Sequence, residues 1–157
     1  MSNISENQTK TQVFLFTEGK KLFPKDCVIL GIDYGMRRIG LALCDQSQKI
    51  ATPFKIIYQL KELDDIIPAK EVKAIVIGLP LQTDGNEGDI ARQVRLFSSR
   101  VSEKYALPVF LIDERYTSKY ASEYLSGRCM REEKQKKVLD AYAAARILQK
   151  AIDEMKN

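Results

Sequence analysis

The most informative feature of this sequence is an absence, because its 157 residues include no histidine. Without an imidazole, a Ser-His-Asp triad, a Cys–His nucleophile pair and a His-ligated zinc site are all excluded. Any catalysis must therefore use carboxylates, lysines, arginines, hydroxyl groups or a metal ion that is bound by oxygen atoms.

Cysteine and long apolar runs are also scarce. The three cysteines, Cys27, Cys44 and Cys129, form no C-x-x-C pair, and their odd number argues against a disulfide framework. No stretch approaches the roughly 18 consecutive apolar residues of a membrane-spanning helix. The polar first ten residues do not resemble a secretory signal. We therefore expect a cytoplasmic protein with no membrane partner.

The length and charge of the chain are compatible with one mildly basic domain. A chain of 157 residues corresponds to about one domain. Its formal net charge of +4 is compatible with a polyanionic partner but does not require one. Residues 1–26 are predicted to be an N-terminal extension, in which the apolar piece 13–16 could add an edge strand, form a short hairpin or pack as an arm. Residues 27–157 are predicted to be the functional domain.

Short apolar runs rich in β-branched residues predict five strands. They lie at residues 27–33, 38–44, 49–58, 74–78 and 108–113. Within the third run, Pro53 marks a bulge or a sheet edge, because proline cannot donate a ladder hydrogen bond.

Helices are predicted where apolar residues recur at helical spacing. They lie at 60–67, 117–125, 138–155 and over the stripe formed by Ile90, Val94, Phe97 and Val101. Residues 126–137 are predicted to be a basic loop. A three-strand meander followed by βαβ crossovers gives an α/β fold with a mixed five-stranded sheet and helices on both faces.

Three acidic residues occupy positions where a charge is unexpected. Asp33 ends an apolar strand, at the edge where open α/β sheets hold their ligands. Asp113 and Glu114 end another strand and point to opposite faces by alternation, so one of them should face the same crevice as Asp33. Asp140 shares the helix face of Ala143, Ala144 and Ile147.

Each acidic residue also has an ordinary structural explanation. Asp33 could open a turn, Glu114 could pair locally with Arg115, and Asp140 could favour the helix N-terminus. Taken together, three carboxylates without a histidine suit Mg²⁺ or Mn²⁺, which prefer oxygen ligands. Two such ions could activate water and stabilise the leaving oxygen of a phosphodiester.

Four ordered motifs resemble the YqgF/RuvX family, which is described both as Holliday junction resolvases and as pre-16S rRNA nucleases. The first motif is Gly31-Ile32-Asp33-Tyr34-Gly35 with Arg38-Ile39-Gly40-Leu41-Ala42, and the second is Val76-Ile77-Gly78-Leu79-Pro80-Leu81 with Asp84-Gly85. The third is Asp113-Glu114-Arg115 with Thr117-Ser118, and the fourth is Asp140 with Ala143-Ala144 and Ile147-Leu148. The match covers residues 27–152.

The resemblance implies a ribonuclease-H-like fold and metal-dependent phosphodiester cleavage. Carried over by position, Asp33, Glu114 and Asp140 would be the catalytic, metal-binding carboxylates, and Arg38 and Arg115 would lie near substrate phosphates. Two features depart from the family pattern. Met36 replaces a small hydroxyl residue, and the extension 1–26 has no counterpart.

The basic segment before Asp140 is a candidate for nucleic-acid contact. Residues 128–137 carry five positive charges against two negative ones. We expect Lys134, Lys136 and Lys137 to contact backbone phosphates, although a charge run can also be merely solvated.

Other functions share parts of this pattern. The Asp-Tyr-Gly segment also resembles the first phosphate loop of actin-like sugar kinases and chaperone ATPases, but those proteins enclose ATP between two such domains. A nucleic-acid-binding protein that does not cut is a further alternative. Within the nuclease class, RNA is favoured over branched DNA on the family's usual description, and the protein is expected to be a monomer or a homodimer.

Overall fold

The computed structural model of the chain describes residues 11–114 and 132–156, with side chains in the second range from residue 139 onward. Its strands are β1 (Val13–Leu15), β2 (Val28–Tyr34), β3 (Ile39–Cys44), β4 (Ala51–Ile57), β5 (Val72–Leu79) and β6 (Val109–Asp113). Its helices are α1 (Phe16–Gly19), α2 (Leu63–Ala69), α3 (Asp89–Tyr105) and α4 (Glu132–Met155), with short 3-10 turns at Lys20–Leu22 and Leu60–Glu62. Within these ranges, none of the helices is both long and apolar enough to cross a membrane.

The strands form one mixed sheet in the order β1-β6-β5-β2-β3-β4. Strands β2, β3 and β4 are the predicted antiparallel meander. Strand β5 pairs in parallel with β2, and β6 pairs in parallel with β5. The predicted α/β class is therefore confirmed. At the outer edge of the meander, the register shifts between Leu41 and Ala42, and Pro53 lies opposite Ala42. Pro53 thus lies on an edge strand beside a bulge, the two positions where proline is tolerated.

The sheet has six strands rather than five, because the extension contributes β1. Val13 pairs in parallel with Val109 of β6. The Val109 amide donates to the Gln12 carbonyl at 2.8 Å, and the Gln12 amide donates to the buried Ser102 hydroxyl at 2.8 Å. Three residues are too few to establish a period of two, so these tertiary partners, rather than the sequence pattern, define the strand.

Each face of the sheet is covered by its own apolar cluster. One cluster packs α2 and α3 on the strand residues Leu30, Ile32, Ile75 and Ile77, with Val94 and Val101 from α3. The other packs α4 on Ile29, Ala74, Val76, Phe110 and Ile112, with Ala144, Ile147 and Leu148 from the helix. Alternation along β2 and β5 therefore assigns successive side chains to opposite helices.

Helix α4 lies unusually close to the sheet because glycines form the surface beneath it. A Cβ atom built on Gly31 would lie 2.7 Å from Leu148 Cβ, and one on Gly78 would lie 2.6 Å from Ile147 Cδ1. A Cβ on Gly40 would collide with the backbone carbonyl of Asp140. These contacts fix the distance of α4 from β2, β3 and β5.

The predicted start of the last helix needs correction. Helix α4 begins at Glu132, so residues 132–137 have a helical backbone rather than the predicted loop. The segment contains good helix formers and neither glycine nor proline, and its charge does not prevent helix formation. The predicted helix at 117–125 lies outside the described residues.

The predicted apolar stripe of α3 is slightly rotated. Ile90 is 59% exposed, whereas Ala91 and Ser98 are completely buried beside Val94 and Val101. The Ser98 hydroxyl donates to the Val94 carbonyl at 2.7 Å, which satisfies its hydrogen-bonding need in the core. A small residue therefore marks the buried face where a large apolar residue was expected.

We predict that Gly40→Ala destabilises the protein. Without a clash, replacing glycine by alanine stabilises a protein by about 0.4–1 kcal/mol, whereas overpacking against α4 should cost about 1–3 kcal/mol. The free energy of unfolding in urea should therefore fall if α4 lies as close to Gly40 as the structure shows, and it should rise if it does not. Gly88→Ala is the control, because its nearest contact is the flexible end of Gln82, and it should cost below about 1 kcal/mol. A Gly40→Ala variant at least as stable as wild type would contradict the packing.

Candidate active site

Asp33 and Glu114 lie at the carboxyl ends of two parallel strands that flank a third. Asp33 is near the end of β2, and Glu114 directly follows β6, with β5 between them. Because Ile29 and Gly31 face α4, alternation places Asp33 on the α4 face as well. This edge of the sheet is where open α/β folds hold their ligands.

Glu114 lies over β5 on the same face as Asp33. Its amide donates to the Leu79 carbonyl at 3.3 Å, which continues the β5–β6 pairing by one residue. A Cβ atom on Gly78 would lie 2.5 Å from Glu114 Oε2, so the carboxylate occupies the space that a side chain at position 78 would fill. Asp113 alternates with Phe110 and Ile112 and so faces away from α4.

Asp140 reaches the site from α4. Its backbone carbonyl lies over Gly40, and Gly40 is paired with Asp33 across the β2–β3 ladder. Its same-face neighbours Ala143, Ala144 and Ile147 are buried. Helix packing thus brings Asp140 to Asp33 from more than 100 positions away in the chain.

Arg38 is paired with Asp140 in this structure. Its Nε atom donates to Asp140 Oδ2 at 2.9 Å, and the two side chains are only 27% and 28% exposed. This arginine, which the family resemblance assigns to substrate phosphates, is thus held at the carboxylates by a partly desolvated ion pair. Such a pair is stronger than an exposed one, because screening by water is weaker.

The electrostatics of the site show that its carboxylates share a buried region. Burial first, and then the charges of Glu114 and Asp140, raise the pKa of Asp33 to about 8. Burial first, and then the charge of Asp113, raise the pKa of Glu114 to about 7. Both side chains are therefore costly to ionise unless a cation neutralises them.

The donor set fits a hard cation in chemistry but does not form a closed cage. Among residues 11–114 and 139–156, no group of three or more potential ligands is arranged to hold a metal ion. Within the same ranges, neither Asp33 nor Glu114 is ion-paired with an arginine or lysine. Asp33 and Glu114 thus supply partly buried oxygens that no described lysine or arginine neutralises, whereas Asp140 would have to exchange Arg38 for a metal ion.

The remaining predicted site residues are placed only in part. Arg115 lies outside the described residues, and for Lys134, Lys136 and Lys137 only the helical backbone is described. Met36 lies in the β2–β3 turn and is 78% exposed.

The sequence analysis missed two supporting residues. Gly78 makes room for Glu114, and its position at the end of an apolar strand was the available signal. Lys150 Nζ donates to the Asp113 carbonyl at 2.7 Å and holds the end of β6, a contact for which the sequence has no local signal.

Comparison with known proteins agrees with this geometry. A family model described as "RuvX: Holliday junction resolvase" matches residues 27–154. A protein of Maridesulfovibrio salexigens is 39% identical over 127 residues, which cover 77% of this chain and 94% of that protein. One from Pelagibacter ubique is 39% identical over 134 residues, 82% of this chain and 89% of the other. Both carry the name "Putative pre-16S rRNA nuclease".

A solved structure shares the fold. T. thermophilus RuvC in complex with a Holliday junction substrate matches with a TM-score of 0.52 and 14% identity, covering 83% of this chain and 97% of that chain. The expected ribonuclease-H-like fold is therefore confirmed, with six strands in place of five.

We predict that the metal-free protein loses stability as the pH rises. The pKa values of Asp33 and Glu114 in the folded protein lie above the roughly 4 of an unfolded carboxyl. The folded state therefore binds more protons than the unfolded state between about pH 4 and 8, and stability falls through that window. Urea unfolding in EDTA at pH 5 and pH 8 measures the difference.

Asp33→Asn should flatten this dependence. At pH 8 the variant should be more stable than wild type by at least ~1.4 kcal/mol, the free energy of one pKa unit. Asp65→Asn, which removes an exposed carboxylate, serves as the control and should leave the pH dependence unchanged. If Asp33→Asn were less stable than wild type at pH 8, the conclusion that ionised Asp33 destabilises the folded protein would be wrong.

Proposed function

Because this chain belongs to the RuvX family, described as Holliday junction resolvases, we propose that it is a metal-dependent endonuclease that hydrolyses phosphodiester bonds in nucleic acid. The observation that carries the proposal is the pair of partly buried carboxylates, Asp33 and Glu114, on the α4 face at the carboxyl edge of the sheet. Keeping two such groups together is destabilising, and a bound cation would offset that cost.

We propose Asp33, Glu114 and Asp140 as the ligands of one or two Mg²⁺ or Mn²⁺ ions. When bound between carboxylates and a phosphodiester, such ions supply an activated water and stabilise the leaving oxygen. The protein orients the ligands: β2 and β6 position Asp33 and Glu114, and α4 delivers Asp140. A low dielectric around the buried pair strengthens every charge interaction there.

Arginines and lysines are proposed to hold the substrate. Arg38 would leave Asp140 when a cation binds that carboxylate, and its guanidinium could then bind a phosphate through two hydrogen bonds. We propose that Arg115, Lys134, Lys136 and Lys137 contact further phosphates. Such contacts position the nucleic acid but carry no sequence information.

We propose the 5′ end of pre-16S rRNA as the substrate and therefore a cytoplasmic place of action. The names of the relatives support this choice. Branched DNA is the second candidate, supported by the description of the family model. The site is built from a single chain, so a monomer or a homodimer could act on either substrate. We further propose residues 27–157 as the nuclease domain and 1–26 as its extension.

The other function classes are less well supported. ATP turnover in actin-like proteins needs two domains of this fold, and the described residues form one sheet. A binding protein that does not cut would have no need for Asp33 and Glu114 to remain acidic, since neutral amides would be less costly to bury.

We predict metal-dependent cleavage of a pre-16S rRNA fragment that Asp33→Asn and Glu114→Gln each abolish. Each substitution removes a charge from the proposed metal site, so losses of at least about 100-fold are expected. Cleavage is followed on gels in Mg²⁺, in Mn²⁺ and in EDTA, with a four-way DNA junction as the competing substrate. Asp113→Asn is the matched control, since it changes the adjacent acidic residue on the opposite face, and it should retain activity.

Two results would contradict this proposal. Cleavage by Asp33→Asn in EDTA would exclude the metal mechanism. Faster cleavage of the junction than of the RNA would identify branched DNA as the substrate. The proposal of metal-dependent hydrolysis would still stand.

We also predict that replacing Lys134, Lys136 and Lys137 with alanine weakens binding of all substrates to a similar extent. The plot of log affinity against log salt should flatten by up to about one unit per lost contact. Fluorescence anisotropy at several salt concentrations measures both effects. As a control for net charge, Lys55, Lys61 and Lys70 on the β4–α2 side are replaced together. If the two triple variants behave alike, these three residues before Asp140 make no specific contact.

A further inference from the structure

The β2–β3 turn, residues 35–38, carries a large apolar side chain in solvent beside the carboxylates. Met36 is 78% exposed, more than any other large hydrophobic residue among those that the structure describes. It follows Asp33 by only three residues, so it must lie at the same edge of the sheet. Isolated exposed apolar residues are common on proteins, so its location is more informative than its exposure.

The turn presents Met36 on a tight, well-fixed backbone. A Cβ atom on Gly35 would lie 2.6 Å from the Arg38 carbonyl oxygen, which shows how closely the two ends of the turn approach. On one side Tyr34 stacks on Phe97 with ring centroids 4.6 Å apart. On the other side Ile39 pairs with Tyr34 in the β2–β3 ladder. The residues between these fixed points, Met36 and Arg37, can meet a ligand with little loss of conformational entropy.

Arg37 complements Met36 in chemistry. It is exposed, and it forms no ion pair within residues 11–114 and 139–156. An apolar side chain next to a cationic one suits a nucleotide, because the first can contact the base and the second the phosphate. Methionine is one of the residues that proteins insert between bases, where it partly unstacks them.

We propose that Met36 packs against the nucleobase next to the cleaved phosphodiester, while Arg37 contacts an adjacent phosphate. The turn would then favour substrates in which that base is unpaired or easily unstacked. This inference rests on the proposed nuclease function and adds to it a residue that selects the cleavage site. It gives a role to the exposed apolar side chain at the edge that carries Asp33.

The chain provides a matched control at the opposite end of the sheet. Ile50 is 71% exposed and lies in the connection between β3 and β4. Strand β3 separates the two connections by its full length of six residues, which is about 20 Å. Ile50→Ala therefore removes an equally exposed apolar side chain that cannot reach a base at the site.

The experiment is an abasic scan of an RNA substrate. Single nucleotides around the cleavage site are replaced one at a time by abasic residues, and affinity is measured by anisotropy in Mg²⁺. An Asp33→Asn background allows binding to be measured without cleavage. The affinities of the Asp33→Asn protein are compared with those of the same protein that also carries Met36→Ala or Ile50→Ala.

We expect the Asp33→Asn protein to lose about fivefold in affinity when the base beside the cut is absent, the lower end of the range for contacts to a single base. With Met36→Ala, the intact RNA should bind about as weakly as the abasic RNA, and the penalty at that position should disappear. Ile50→Ala should keep the penalty. Arg37→Ala should reduce the salt slope by about one unit without changing the abasic profile.

An unchanged abasic profile with Met36→Ala would overturn the inference, as would a uniform loss of affinity for every RNA, which would indicate a structural effect. Failure of the proposed function would look different. In that case wild-type protein would cleave neither RNA nor junction, whatever the profile of the variants.

Discussion

The close contact between helix α4 and a glycine-lined sheet is the constraint on which the other features depend. Where Gly31 and Gly40 leave the strands without side chains, the helix backbone approaches the sheet to within contact distance, and at Gly78 the Ile147 side chain does so. Dense packing of this kind adapts poorly to added volume. The helix is thereby held in a single position, and Asp140 is delivered to the edge where β2 and β6 end.

The same packing creates the unusual electrostatics of the site. Ile147 and Leu148 cover the sheet just beyond the carboxylates, and Glu114 lies in the space above Gly78. Water is thus partly excluded from Asp33 and Glu114, which raises the pKa of both. A site arranged in this way is less stable without a cation than with one, as is common where stability is sacrificed for function.

Arg38 is the positively charged partner of the Asp140 carboxylate in this structure. Its position at the end of the β2–β3 turn allows it to reach the carboxylate at 2.9 Å. The three acidic residues are consequently not equivalent. Two are partly buried and have no ion-pair partner among the side chains that the structure describes, whereas the third is paired with an arginine that is proposed to bind a phosphate.

Much of this protein was determined by the sequence alone. Runs of β-branched residues defined β2 to β6, because a buried strand needs a continuous apolar segment. The absence of histidine restricted the chemistry to oxygen ligands. Alternation placed Asp113 and Glu114 on opposite faces, and the buried neighbours of Asp140 oriented its carboxylate toward the sheet. These features follow from local periodicity, because strand alternation and helical spacing depend only on residues that are close in the sequence.

Tertiary structure decided what depends on partners distant in the chain. Strand β1 exists because β6 and Ser102 satisfy its backbone. The pairing of Arg38 with Asp140 and the shared burial of Asp33 with Glu114 arise only when α4 lies on the glycines. Charge and hydrogen-bond partners act through space rather than along the chain, so no local pattern could reveal them.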